Sequence, residues 1–189
     1  MMFTKIIQNH IDCMSQLAEM APAIESAAAR LSGVVKNGGC IFVCGNGGSA
    51  ADSQHFAAEL VGRFEKERAA LPSVALTTDT SIITAVANDY AYDDIFVRQL
   101  AGLASEKDAL LGLSTSGNSE NVLRACNLAM EKKMACVGLL GGNGGKLRER
   151  VEIPLVMPSA NTARIQEMHI LILHFFAMMI ESDAMGERR

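Results

Sequence analysis

The chain has 189 residues, 49% of them hydrophobic and 20% charged, with a formal net charge of -4. That length and apolar content suit a single domain with a full core and exclude a chain held disordered by high charge and low hydrophobicity. Seventeen basic against 21 acidic residues leave no positive excess, so no nucleic-acid partner is expected.

Phe3, Ile6, Ile7, Ile11, Met14 and Leu17 recur at three- and four-residue steps and predict an amphipathic helix. Pro22 opens a second helix through Lys36, which Asn37-Gly38-Gly39 terminates. Residues 1–36 thus read as N-terminal helices and 37–189 as an α/β core of the same single domain. In that core Cys40–Cys44 is a short apolar strand, followed by a glycine loop and a helix from about Ser49 to Phe64. Ser73–Thr77 is the next strand, with helices over about Ser81–Ala87 and Asp93–Ala104 behind it. Ala109–Leu113 is a third strand, Glu120–Lys132 a helix, Ala135–Leu140 a fourth strand, Glu152–Val156 a fifth and Thr162–Glu181 a long final helix. Short apolar strands alternating with helices predict a parallel sheet covered on both faces.

No run approaches the ~18–20 uninterrupted apolar residues that span a bilayer. The longest, Ile170–Ile180, is shorter and contains His174. The first residues lack the charged, apolar and small-residue regions of a signal peptide, so a cytoplasmic protein with no membrane partner is expected. Ile170–Ile180 is nonetheless apolar all round and must be buried on every side. A small domain encloses such a helix with difficulty, so an oligomer interface between like subunits is expected there, the terminal helices packing at it. The five cysteines form no C-x-x-C pair, and Cys40 and Cys44 share a strand face, which reads as small buried hydrophobes.

Two loops carry the chemistry. Gly45-Asn46-Gly47-Gly48-Ser49 follows a strand and opens a helix, where backbone can approach a ligand and unpaired N–H groups point outward. It overlaps a dinucleotide fingerprint, but the strand-end acid is Asp79, 34 residues after Gly45, which is the wrong spacing for ribose. Ser114-Thr115-Ser116-Gly117-Asn118-Ser119 crowds four hydroxyls at a second helix start, with no Lys or Arg. Such donors hold a phosphate monoester, whereas a helix N-cap needs only one of them. Gly141–Gly145 offers no hydroxyls and reads as structural.

His55 and Glu59, four apart, share a helix face and suit Zn²⁺ or acid–base work. The last helix adds Gln166, His169 and His174. Spacing alone prefers Gln166 with His169, because eight residues to His174 is ~12 Å of rise. His169 and His10 otherwise read as a satisfied core histidine and a residue of the N-terminal helix.

Residues 44–60 (C-G-N-G-G-S-A-A-D-S-Q-H-F-A-A-E-L), Ser114–Ser119 and Ala163-Arg-Ile-Gln-Glu-Met-His169 resemble the bacterial sedoheptulose-7-phosphate isomerases, also called phosphoheptose isomerases, of the sugar isomerase (SIS) fold. The resemblance spans essentially the whole chain. It implies a three-layer α/β sandwich around a five-stranded parallel sheet, and conversion of D-sedoheptulose 7-phosphate to D-glycero-D-manno-heptose 7-phosphate through an enediolate, on the route to lipopolysaccharide heptose. It implies one Zn²⁺ per subunit held by His55, Glu59, Gln166 and His174, with Glu59 as base and His174 as acid. It places substrate contacts at Asn46, Gly47, Gly48, Ser49, Glu59, Asn88, Asp89, Ser114, Thr115, Ser116, Ser119 and Gln166. The resemblance further implies a homo-oligomer, with a tetramer expected over a dimer. Thr162-Ala163 departs from the family, where some members carry an acid before Arg164. A related SIS-fold protein that binds the bacterial replication initiator keeps both loops but lacks the carboxylate and imidazole matching Glu59 and His174. That protein, or a sugar-phosphate sensor without turnover, is the alternative reading.

Overall fold

In a computed structural model describing residues 1–187, five parallel strands form one sheet in the order β2-β1-β3-β4-β5: β1 (Ile41–Cys44), β2 (Ser73–Ala75), β3 (Ala109–Ser114), β4 (Ala135–Leu140) and β5 (Ile153–Val156). Successive strand residues face opposite sides of a sheet. Ile41, Val43, Leu111, Val137 and Leu139 accordingly enter one core, and Phe42, Cys44, Leu110, Cys136 and Leu140 the other. The first core is covered by α1 (Met2–Ala18), α2 (Ala21–Lys36), α3 (Gly48–Val61) and α7 (Thr162–Ala184). The second is covered by α4 (Thr80–Asp89), α5 (Ile95–Leu103) and α6 (Glu120–Glu131). This is the three-layer SIS sandwich the sequence led us to expect.

The differences lie at element ends and have local causes. The strand expected over Ser73–Thr77 stops at Ala75, because it pairs only with Ile41–Val43 and Thr77 turns away to donate to the Ala50 carbonyl. The helix expected to reach Phe64 ends at Val61, because the N–H groups of Phe64, Glu65 and Lys66 donate to the Glu181 carboxylate instead. Asp79, rejected as a ribose ligand, caps α4 by accepting from the Ile82 N–H. Cys40 and Cys44 pack into the same core, and burial holds the Cys44 thiol above its ordinary range.

The 23 residues of α7 are long and apolar enough to cross a membrane by length and composition, yet 56% of the qualifying window is buried within the fold. The helix is not enclosed by its own chain: Leu171 and Met178 remain 48% and 40% exposed. Leu171 and Phe175, with Met14, Leu17 and Ile24, line an apolar groove of about 400 Å³. His10 on α1 reaches Glu167 on α7 at 2.7 Å, and Glu167 also pairs with Arg164.

His169 is fully buried, as a core histidine, but it is poorly satisfied: neither ring nitrogen makes a hydrogen bond of good geometry, and only the Leu140 backbone lies near enough to favour its protonated form. Burial pushes its pKa down to about 4, opposed by the nearby Leu140 backbone. Between its ordinary pKa and about 4 the unfolded chain binds a proton that the folded chain refuses. Stability therefore falls as pH drops through that window, by on the order of 3 kcal/mol in total, and is untouched above it. Urea unfolding at about pH 7 and about pH 5 should show a smaller drop for His169→Met than for wild type, and equal drops would refute the assignment.

The glycine loop after β4 buttresses the hydroxyl loop after β3. The Leu147 N–H donates to the Gly117 carbonyl at 3.0 Å, and the Lys146 N–H to Asn118 Oδ1 at 3.1 Å. Gly117 has φ +68°, and a Cβ there would stand 2.1 Å from the Gly144 carbonyl oxygen, whereas Gly142, at φ +61°, faces open space. Gly117→Ala should therefore cost roughly 2–4 kcal/mol, combining strain with overpacking, and Gly142→Ala only about 1–2. Denaturant midpoints check the ordering.

Candidate active site

Helix α3 leaves β1 through the glycine loop, and α7 returns on the same face of the sheet. The two helices run parallel, and their contact places His55 and Glu59 opposite His174. His55 Nε2 lies 3.0 Å from Glu59 Oε1 and 3.0 Å from His174 Nε2, and one donor atom from each of the three residues falls within 4.8 Å of the others. Donors on a tetrahedral ion at ~2.0–2.1 Å stand roughly 3.3 Å apart, so two imidazole nitrogens and a carboxylate oxygen at these separations fit a metal by both chemistry and spacing. His55 is exposed, and Glu59 and His174 are half-buried. The Phe64 ring stacks on His174 at 5.7 Å between centroids and 28° between planes.

Gln166 lies eight residues before His174 on α7, and its carboxamide packs against Gly48: a Cβ there would meet Gln166 Nε2 at 2.3 Å. Gln166 therefore sits beside the glycine loop. Asp52, one turn before His55, is half-buried with Oδ2 unpartnered, and burial raises its pKa against the lowering pull of His55.

The hydroxyl loop occupies the neighbouring strand end. Ser114 Oγ lies 2.9 Å from Ser119 Oγ and 3.5 Å from Ser116 Oγ, so three hydroxyls converge. Ser119 stands at the N-cap position of α6 but makes no side-chain cap; its hydroxyl turns to Ser114 instead. The simple capping explanation fails for this residue. Thr115 is half-buried beside them.

Strands β1 and β3 are adjacent, and α3 and α6 leave them towards opposite faces. The two loops thus flank the crevice where open α/β sheets bind ligands. Asn46 crosses it. Its carboxamide forms a reciprocal pair with Asn121, at 2.8 and 2.9 Å, and its Oδ1 also accepts from the Tyr92 hydroxyl at 3.0 Å. Ser49 is buried in the first turn of α3, where the Ser53 hydroxyl donates to its carbonyl at 2.7 Å. Gly47 is exposed in the loop. Asn88 and Asp89 lie exposed in the last turn of α4, joined by a 2.8 Å side-chain hydrogen bond.

The structure thus brings together His55, Glu59 and His174, and separately Ser114, Ser116 and Ser119. Sequence reasoning missed Phe64, Tyr92 and Asn121. Asn121 directly follows the hydroxyl loop and its first helical residue, a position that could have drawn notice; nothing in the sequence singles out the other two.

The SIS domain family matches this chain over residues 7–141. The chain is 56% identical over 149 residues to phosphoheptose isomerase 1 of Campylobacter jejuni, covering 79% of this chain and 80% of the relative. It is 49% identical over 174 residues to the phosphoheptose isomerase of Helicobacter hepaticus, covering 92% and 89%. The structure of a phosphoheptose isomerase from Neisseria gonorrhoeae superposes with a TM-score of 0.90 at 40% identity, covering 95% of this chain and 97% of that one. The chain belongs to the SIS-domain family and, within it, to the phosphoheptose isomerases.

Proposed function

We propose that this chain, as a single domain over residues 1–189, interconverts D-sedoheptulose 7-phosphate and D-glycero-D-manno-heptose 7-phosphate, feeding the heptose of lipopolysaccharide. The convergence of a carboxylate and two imidazoles beside a hydroxyl-rich loop carries this reading. Ketose–aldose isomerisation needs a base at the carbon-bound proton and an acid at the carbonyl oxygen. Glu59 takes the proton from C1 while His174 gives one to the C2 oxygen. The enediol so formed collapses when Glu59 returns its proton to C2 and the C1 hydroxyl gives its proton back to His174, leaving the aldehyde. Ser114, Thr115, Ser116 and Ser119 hold the 7-phosphate, and this remote contact positions the reacting carbons. Asn46, Gly47, Gly48, Ser49, Asn88, Asp89 and Gln166 are assigned to the sugar.

The donor set suits one Zn²⁺ per subunit, held by His55, Glu59 and His174 with Gln166 as fourth ligand. Bound there, the ion supplies Lewis-acid polarisation of the sugar carbonyl. Gln166 lies eight residues before His174, so its carboxamide would reach the other three donors by spanning part of a ~12 Å rise along α7. A carboxylate oxygen on a dication would be a weak base; Glu59 Oε1 faces His55, so Oε2 would be the oxygen left for the proton.

The exposed apolar face of α7 and the groove beside it support a homo-oligomer, for which we propose a tetramer. Cytoplasmic residence and a sugar-phosphate partner accord with this reading. The presence of Glu59 and His174 together counts against the initiator-binding alternative.

Incubation with sedoheptulose 7-phosphate should yield an aldose product; no product, with tight binding to the replication initiator, would favour the rival. Glu59→Gln should lower turnover by about 10²–10⁴-fold with the melting temperature near wild type, and normal turnover would rule out this base. Purified protein should carry about one zinc per chain, and chelation should abolish activity that added zinc restores.

A further inference from the structure

Beyond the site itself, α3 and α7 are joined by a charged pair that solvent barely reaches. Arg68 Nε donates to Glu181 Oε1 at 3.1 Å, with side chains 5% and 2% exposed. The rest of the guanidinium is spent on backbone carbonyls where α3 ends. Nη2 donates to Glu59 at 2.8 Å, and Nη1 to Leu60 at 2.7 Å, Gly62 at 3.2 Å and Ala69 at 3.0 Å. The rest of the carboxylate is spent on three successive N–H groups: Oε1 accepts from Phe64 at 3.0 Å, and Oε2 from Glu65 at 3.0 Å and Lys66 at 3.1 Å. Burial opposes the Glu181 charge, but these N–H groups and Arg68 outweigh it and hold the carboxyl below its usual range.

These contacts land on the site's own residues. The carbonyl that Arg68 grips belongs to Glu59. One N–H that Glu181 grips belongs to Phe64, whose ring lies on His174. Glu181 follows His174 by seven residues, two turns along the same face of α7. A buried ion pair is weak evidence for stability, since apolar residues of similar size often serve as well. Its effect here is on geometry.

We propose that the buried Arg68–Glu181 pair is a positioning device for the reaction, fixing the Glu59 end of α3 and the Phe64 ring against His174. The inference rests on the isomerase reading of that cluster. Neither residue touches substrate. They act by holding the base, the acid and the metal donors in one register, where a displacement of about 1 Å costs on the order of 100-fold in rate.

Two variants test it. Glu181→Gln keeps the shape but sets an NH₂ group against N–H donors; Arg68→Lys keeps the charge but gives up the fork that spans the carbonyls. In folded variants, judged by circular dichroism and melting, kcat should fall by about ten- to a hundredfold. KM for sedoheptulose 7-phosphate should stay within about threefold, because the phosphate loop leans on residues 141–147 and not on this pair. Metal-free protein titrated with Co²⁺ should bind roughly tenfold more weakly than wild type, with an altered visible ligand-field spectrum. If Glu181→Gln does not fold, Arg68→Lys decides. Wild-type kcat, Co²⁺ affinity and spectrum in a folded variant would overturn the proposal, and so would unfolding of both, which would make the pair a prop of the fold alone. If wild type itself shows no turnover, the isomerase reading fails, while the Co²⁺ measurements still decide whether the pair sets the geometry of the cluster.

Discussion

The site depends on the register between two parallel helices. His55 and Glu59 are a turn apart on α3 and come together by helical geometry alone, but the third donor must arrive from α7, 119 residues after His55. Sliding one helix by a single residue moves every donor on it ~1.5 Å and turns it ~100°, which would part His174 from the His55–Glu59 pair. The register is fixed at both ends. Gly48 admits the Gln166 carboxamide where α3 begins, and Arg68 and Glu181 bind the chain where it ends.

Sheet topology provides the second half of the site. Because β1 and β3 are neighbours whose helices depart to opposite faces, two helix starts open on one crevice, and their unpaired N–H groups and dipoles favour an anion. With a net charge of -4 and no Lys or Arg in the hydroxyl loop, the attraction this crevice offers an anion comes from local dipoles and hydroxyls rather than from a cationic field. The Asn46–Asn121 pair ties the glycine loop to the first turn of α6, directly behind the hydroxyl loop, so the two loops are held at a fixed spacing.

Much of this was legible in the chain. Short apolar runs, Pro22, and Asn37-Gly38-Gly39 at a helix end are local signals, and the elements they mark are present with ends displaced by a few residues. The loops were legible because their residue types are costly to explain otherwise: four hydroxyls exceed the needs of a cap. What escaped depends on distant partners. The end of α3 at Val61 follows from Glu181, more than a hundred residues later, and helical periodicity cannot contain it. Spacing along α7 preferred Gln166 with His169, yet His169 turns inward to the core while His174 faces α3; only the family resemblance selected His174. The isolation of the buried His169 ring was equally invisible, since sequence shows that a polar residue lies on an apolar helix but not whether a partner awaits it.

A division of labour runs through the molecule. The side chains that line the two loops and the donor cluster meet solvent: His55 and Ser116 are exposed, Glu59 and Asn46 half-buried. Exposed side chains are poorly fixed by themselves, because each has rotamer freedom to lose and water competes for its hydrogen bonds. Buried polar residues with their bonds made lie beneath several parts of this surface. Glu181 lies under the Phe64–Lys66 turn, Asn121 under Asn46, and Ser114 under Ser116 and Ser119. Each carries a desolvation cost that an apolar residue would avoid. In return each holds its neighbours in set directions, which apolar packing, lacking directional bonds, cannot do.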